Sequence, residues 1–331
     1  MGLGLGAFYG NLLTGERVIR DFVTVGADDR LRERVYLAAD GRVWDVSGNQ
    51  WLLGLDPRVI GIWVEKNGDL AEDPGGRISY TLYVHEDVPM RVATGAGKPA
   101  GDVSGKVLGE MTLEYSDRIA DDNGILLLFR VKSTLIHHMG SLRARLLYRK
   151  FYRKPGVTFE RLKAVAAAYT YPRRVRVISF CFGSDHHYIF PMDLLADIRS
   201  AGRYLLGMRH SNQVLKQIME VRKIVVAEAP AGYKQQIYKL GRNHSASPPP
   251  LDQLPFGVIK TREWGFCLPD WVESYKEIRI GKTTDLGSHM LLYGEWSEDV
   301  ILRPPTPRLH HIHFLYYLHQ KDGRLPYPTI P

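Results

Sequence analysis

Arg209-His210-Ser211-Asn212, with Lys216 following closely, is the group of residues in this chain best suited to chemistry. Cations and hydroxyls where a strand gives way to a helix can hold a phosphate, because the first helical amides lack intrahelical acceptors and the macrodipole favours an anion there. Upstream, Phe190-Pro191-Met192 offers the apolar, rigid surface that a flat ring needs. A flavin mononucleotide, FMN, makes both demands at once. The same residues have a plainer use, with Arg209 and Lys216 in solvent, Ser211 as no more than a helix cap and Phe190 in the core. Spacing alone leaves both readings open.

Other motifs carry less. Gly95-Ala-Gly-Lys-Pro-Ala-Gly-Asp-Val-Ser-Gly-Lys-Val fails as a phosphate-binding P-loop, since Ala100 and Val107 stand where a Gly and a magnesium-holding hydroxyl are required. Gly2, Gly4 and Gly6 have no strand before them. His310, His311 and His313 cluster, but no Cys is near them and acids are distant in sequence, so they read as surface or interface histidines and no metal is expected. Cys181 and Cys267 lie in apolar strand-like segments and read as buried thiols of a reducing compartment.

The elements that must position these residues are mostly strands. Arg17 to Val25, Arg34 to Ala38, Val59 to Glu65, Ile78 to His85 and Ile125 to Thr134 are β-like runs separated by turn signals such as Ala39-Asp40-Gly41 and Asp73-Pro74-Gly75-Gly76, as in an antiparallel β domain. Leu142, Leu146, Leu147 and Phe151 recur at helical spacing, which predicts an interdomain helix, and Thr158 can cap a second helix over Phe159 to Tyr169. Val175 to Phe182, Tyr204 to Met208, Lys223 to Ala227, Glu273 to Ile280 and His289 to Ile301 read as strands. Ser211 is the expected N-cap of a helix whose apolar face is Val214, Leu215, Ile218 and Met219. Tyr233 to Leu240 reads as a short helix, and Arg242 to Gly257 as a proline-rich surface loop.

The 331 residues suffice for two domains, and 44% hydrophobic with 24% charged residues exclude a disordered or fibrous chain. No apolar run approaches the roughly 20 residues that cross a bilayer. The opening residues lack the basic segment and cleavage site of a signal peptide, so the expectation is a cytoplasmic protein with no membrane partner. The net charge of +8 concentrates between Ser141 and Arg176, where eleven Lys or Arg face one acid, Glu160. That segment could meet an acidic partner or a phosphorylated dinucleotide, or be a solvated helix face with a linker. Nucleic acid is disfavoured, because the interleaved aromatics fall partly on apolar helix faces.

Residues about 160 to 302 resemble the flavin reductase-like or flavoredoxin family of FMN-binding split β-barrels. The resemblance rests on Tyr171-Pro172-Arg173 before a strand, on Phe190-Pro191-Met192, on Gly207-Met-Arg-His-Ser-Asn212 before a helix, on a strand with Tyr275 and Glu277, and on Asp285-Leu-Gly-Ser-His289 leading to Gly294. It implies an FMN-binding split β-barrel in the C-terminal half and does not cover the first half; together with the β-like runs there, the expectation is a mainly β protein with a few helices, in which the barrel follows an antiparallel β-rich N-terminal domain. The expected division is 1–138 for that domain, which could be a degenerate second barrel, 139–170 for a basic helical linker, 171–303 for the barrel and 304–331 for a proline-rich tail that wraps a neighbour or stays extended. The resemblance further implies a homodimer with FMN at the subunit interface and hydride passing between NADH or NADPH and the flavin. Arg209, Ser211, Asn212 and Lys216 would then hold phosphate, and His289 would sit at the ring edge as the catalytic or substrate-side group. Asp193, following Met192, departs from the family and would repel a phosphate unless it points away. The alternative expectation is a non-catalytic flavin-binding or interaction protein that uses the basic 141–176 segment.

Overall fold

The chain is described from a computed structural model over residues 22–25, 31, 33–56, 58–72, 79–86, 98–99, 106–152, 158–184, 186–241, 249–313 and 315–316. The glycine-rich opening, the turn at 73–76, most of the Gly95 to Val107 segment, 242–248 and the end of the proline-rich tail lie outside the described residues.

Runs of β-branched and aromatic residues give nine strands among the described residues of the first half. They are β1 (Phe22–Val25), β2 (Glu33–Ala39), β3 (Arg42–Asp45), β4 (Gln50–Leu55), β5 (Arg58–Glu65), β6 (Tyr80–Glu86), β7 (Lys98–Pro99), β8 (Lys106–Ala120) and β9 (Gly124–Ile136). Asp40 and Gly41 both take positive φ, 49° and 72°, the backbone of a two-residue hairpin turn that joins β2 to β3 without splaying them. All but β1 form one antiparallel sheet in the order β4-β5-β9-β8-β6-β2-β3-β7. The short helix α1 (Asp69–Glu72) follows β5.

The basic stretch forms α2 (Ser141–Leu147), which continues as a wider helical turn through Tyr152, and then α3 (Phe159–Ala168). Thr158 caps α3 as expected, its hydroxyl accepting the Arg161 N–H at 3.1 Å. α3 packs on β8 and β9, with Ala167 and Ala168 in the core that includes Met111, Leu113, Leu127 and Phe129. A side chain at Gly109 would come within 2.9 Å of the Ala167 methyl, so small residues on both elements set this close approach. α2 differs from its expected role: Leu142 and Leu146 are 73% and 56% exposed, and Ala144 is the residue it buries. Helical spacing defines a stripe, and tertiary context decides whether anything covers it.

The second half contains β10 (Arg173–Arg174), β11 (Arg176–Phe182), β12 (His186–Met192), β13 (Leu195–Ile198), β14 (Arg203–Arg209), α4 (Val214–Val221), β15 (Lys223–Glu228), α5 (Lys234–Leu240), β16 (Val258–Lys260), β17 (Cys267–Pro269), β18 (Ser274–Asp285), β19 (His289–Ile301) and β20 (Arg308–His311). Seven of these make an antiparallel sheet in the order β12-β11-β15-β18-β19-β14-β13. β12 and β13 are its two edges, yet only Asp193 and Leu194 separate them in the chain. The sheet therefore curls until its edges meet, which makes a split barrel. Pro191 is tolerated because β12 is an edge strand, pairing with β11 alone. The barrel core includes Val177, Phe180, Phe190, Leu206, Ile218, Ile224, Val226 and Ile278.

Side-chain packing and ion pairs join the two sheets, and a third, short sheet lies beside them. β4 lies against β13, β14 and β19, where Trp51, Leu53, Val59, Trp63, Leu126 and Leu128 pack on Ala196, Ile198, Leu205, Leu291 and Tyr293. Arg203 reaches Asp121 in the β8–β9 turn at 2.8 Å. β20 pairs with both β1 and β10, so this part of the proline-rich tail is a strand within the chain.

The basic segment is not one surface patch. Arg173 donates to the Gln50 carbonyl at 2.5 Å and to its side-chain oxygen at 2.6 Å, while Arg174 and Arg176 each lie 2.8 Å from the Glu228 carboxylate. These three arginines are largely buried. Burial opposes charge on Glu228, but Arg176 and Arg174 outweigh it and hold the carboxyl at about 2.

Candidate functional site

The two groups singled out in the sequence flank one hydrogen bond at a corner of the barrel. The Gly207 N–H donates to the Leu194 carbonyl at 2.9 Å, continuing the register that pairs Leu195 with Leu206. Met192 lies two residues before that bond and Arg209 two residues after it, so each is within about 7 Å of it along an extended chain. β14 then turns: the His210 N–H donates to the Ser288 carbonyl, and the Asn212 N–H to that of Arg209.

The cap of α4 differs from expectation. Gln213 holds the N-cap position without a side-chain bond, and the Asn212 side-chain oxygen accepts the Val214 N–H at 3.1 Å. An Asn carbonyl reaches the amide two residues on more readily than a Ser hydroxyl reaches three, so the capping role falls to Asn212. Ser211 and Lys216 are exposed, and Arg209 is half-buried. The expected apolar face of α4 is seen, with Val214, Leu215 and Ile218 buried.

On the ring side, Phe190 is 2% exposed and belongs to the barrel core, in line with its plainer reading. Pro191 and Met192 are half-buried, and Pro191 lies near Gly241 at the end of α5. Asp193 turns away from the corner and hydrogen-bonds His311 of β20, whose ring meets Tyr169 edge-on at 4.9 Å. His310, His311 and His313 are all buried, which corrects their reading as surface groups; burial pushes His310 down to about 3. His313 lies beyond the end of β20, so it does not share a strand face with His311.

The loop between β18 and β19 closes the corner. The Asp285 side chain accepts from His210 Nε2 at 3.0 Å and from the Gly287 N–H at 2.8 Å, and these bonds hold its carboxyl below the usual range. The Ser288 hydroxyl accepts two amides from the β4–β5 turn, Leu55 at 3.2 Å and Asp56 at 2.8 Å. With both lone pairs used, its O–H is directed to His289 Nδ1 at 2.8 Å. The remaining imidazole proton is then on Nε2, which is buried and has no acceptor among the described residues. His289 is fully buried, and burial, then Arg209 and Arg161, push it down to about 3. It is therefore a neutral donor at pH 7, beside its cross-strand partner Arg209. Asp56 was not visible as a site neighbour in the sequence, and Ser288 was read only as part of the Asp285 to His289 segment.

No family model matches this chain, and no curated protein matches it. Among solved structures it is similar to the NADH:FAD oxidoreductase SgcE6 of Streptomyces globisporus, at 16% identity over 48% of this chain and 91% of that one, with a TM-score of 0.39. It is similar to an FMN-binding protein of Thermus thermophilus, with 16% identity, 50% and 91% coverage and a TM-score of 0.39. A flavoredoxin of Methanosarcina acetivorans matches at 14% identity, 42% and 80% coverage and a TM-score of 0.35.

Proposed function

We propose that this corner binds FMN and that the protein is a flavin reductase-like oxidoreductase, drawing on NADH or NADPH and working as a homodimer. The observation that carries the reading is the buried His289 Nε2–H without an acceptor, next to Arg209. An unmet buried donor costs on the order of 1–3 kcal/mol, which an acceptor atom of a ligand would offset. The donor set suits a phosphate at one end, where Arg209 and Ser211 precede α4 and Lys216 lies in its first turn. Asn212 serves through its backbone, its side chain being committed to the cap. His210 shares its imidazole with Asp285, which places an acid near the phosphate end and makes His210 a positioning group. Pro191 and Met192 remain for the ring, with Phe190 supporting them from the core. When bound, the flavin supplies the hydride chemistry, and the protein's part is to hold and orient it.

The test begins with protein purified without added cofactor, its visible spectrum and the mass of any released flavin, followed by FMN titration. Arg209→Ala with Ser211→Ala should weaken FMN binding by at least about tenfold, the scale of one charge-assisted hydrogen bond. Unchanged affinity, or no flavin binding at all, would remove the assignment. Oxidation of NADH or NADPH with FMN present separates a reductase from a carrier. The exposed Leu142 and Leu146 beside Arg143 and Arg145 favour a second reading, in which α2 docks an acidic partner.

A further inference from the structure

A cavity of about 530 Å³ lies at the end of β12 remote from Met192, where the β11–β12 turn, the C-terminus of α4 and the loop joining β16 to β17 converge. That volume falls within the roughly 300–1,000 Å³ of small-molecule sites. Lys223 and Lys260 bring two ammonium groups to its wall, and neither has a carboxylate partner among the described residues. Lys223 is held instead by the face of Trp264, 5.5 Å from the ring centroid, which orients its charge without neutralising it. The acids of the adjoining loop and strand are turned elsewhere. Glu263 faces Arg279 at 3.7 Å, and the Glu277 carboxylate accepts the Glu263 and Trp264 amides at 3.0 Å each.

Cys181, His187 and Val221 line part of the remaining wall, and two aromatic rings and a hydroxyl complete it. Trp264 and Phe266 form a corner with ring centroids 5.6 Å apart and planes at 55°. The Trp264 indole N–H is withdrawn from solvent and has no acceptor among the described residues. Ser184, in the β11–β12 turn, adds an exposed hydroxyl. We propose that this cavity binds a phosphorylated planar-ring molecule of nucleotide size. Its phosphate lies between Lys223 and Lys260 with help from Ser184, since lysines serve phosphate as point charges. Its ring lies on Trp264. The site is separate from the Arg209 corner, and it stands whether or not that corner holds a flavin.

Adenosine monophosphate is the probe, titrated by calorimetry into full-length, flavin-free protein, with adenosine and inorganic phosphate as separate arms. The monophosphate should bind saturably and at least about tenfold more tightly than either part. Lys223→Ala and Lys260→Ala should each weaken it by about tenfold, and Trp264→Leu by a similar factor. Arg209→Ala with Ser211→Ala should leave its affinity within about twofold, which separates this site from the flavin corner. Absence of saturable binding would overturn the inference. So would unchanged affinity in a double-lysine variant whose melting temperature matches the parent's.

Discussion

Lowering the pH from 7.5 to 5.5 should destabilise this protein by at least about 3 kcal/mol, and buried histidines are the reason. His289 and His310 are both held at about 3 against an ordinary 6.5, and His313 is held well below it, burial being the main cause in each. In the folded chain they remain neutral across that range, whereas in the unfolded chain each takes up a proton below about 6.5. The unfolded state thus binds more protons as pH falls, so folding stability is greatest above 6.5 and is lost progressively toward 3. Each group passes from mostly neutral to mostly charged in the unfolded state over these two units, which is worth about 1.4 kcal/mol. His289 and His310 together give the total, and His313 and His85, both lowered by burial, add in the same direction. Glu228 is also lowered, but it titrates in the unfolded chain near 4.5 and so acts below this window. Urea unfolding followed by tryptophan fluorescence, at fixed ionic strength and several pH values, reads the effect as a falling midpoint at constant slope. His289→Asn should reduce the pH dependence by about a third. A stability that stays level between 7.5 and 5.5 would refute the burial of these imidazoles.

Two further outcomes test the packing. Gly207→Ala would place a methyl 2.7 Å from the Leu53 carbonyl oxygen and 3.3 Å from its Cα, both backbone, so overpacking should cost about 1–3 kcal/mol in urea unfolding; a change below about 0.5 kcal/mol would mean that β4 does not rest on β14. Glu228→Gln should cost about 3–5 kcal/mol, because Arg174 and Arg176 would be left buried without their shared carboxylate, and a loss under about 1 kcal/mol would show that the group is solvated.

The strands that the sequence displays most clearly, β11, β14, β15 and β19, are those whose apolar residues form continuous or alternating runs, and the face of α4 is visible for the same reason. β8 escaped notice because Gly109, Glu110, Glu114 and Asp117 interrupt its pattern, although fifteen residues of ladder hold it in place. β13 is four residues long and is recognisable only from its pairing with β14. The sequence pointed to Ser211 as the cap where Asn212 makes the bond, because both residue types cap helices and the outcome depends on where the turn after β14 ends. The exposure of Leu142 and the burial of Arg173 lie further from reach. Periodicity and charge count describe one segment, while the β4 carbonyl that accepts from Arg173 is 123 residues away.

The proposed site is consequently a property of both sheets. Arg209 and His289 are cross-strand partners in the barrel, but the tautomer of His289 is fixed by the Ser288 hydroxyl, which the Leu55 and Asp56 amides of the first sheet saturate. The loop carrying Ser288 and His289 is held from one side by those amides and from the other by the Asp285 bond to His210. Withdrawal of the β4–β5 turn would free a lone pair on Ser288 and allow the imidazole to exchange its donor and acceptor nitrogens. The Nε2–H aimed beside Arg209 would then no longer be assured. Docking of β4 on Gly207 and the presentation of that donor are therefore coupled through a single serine, and the N-terminal sheet enters the chemistry of the corner without contributing a side chain to it.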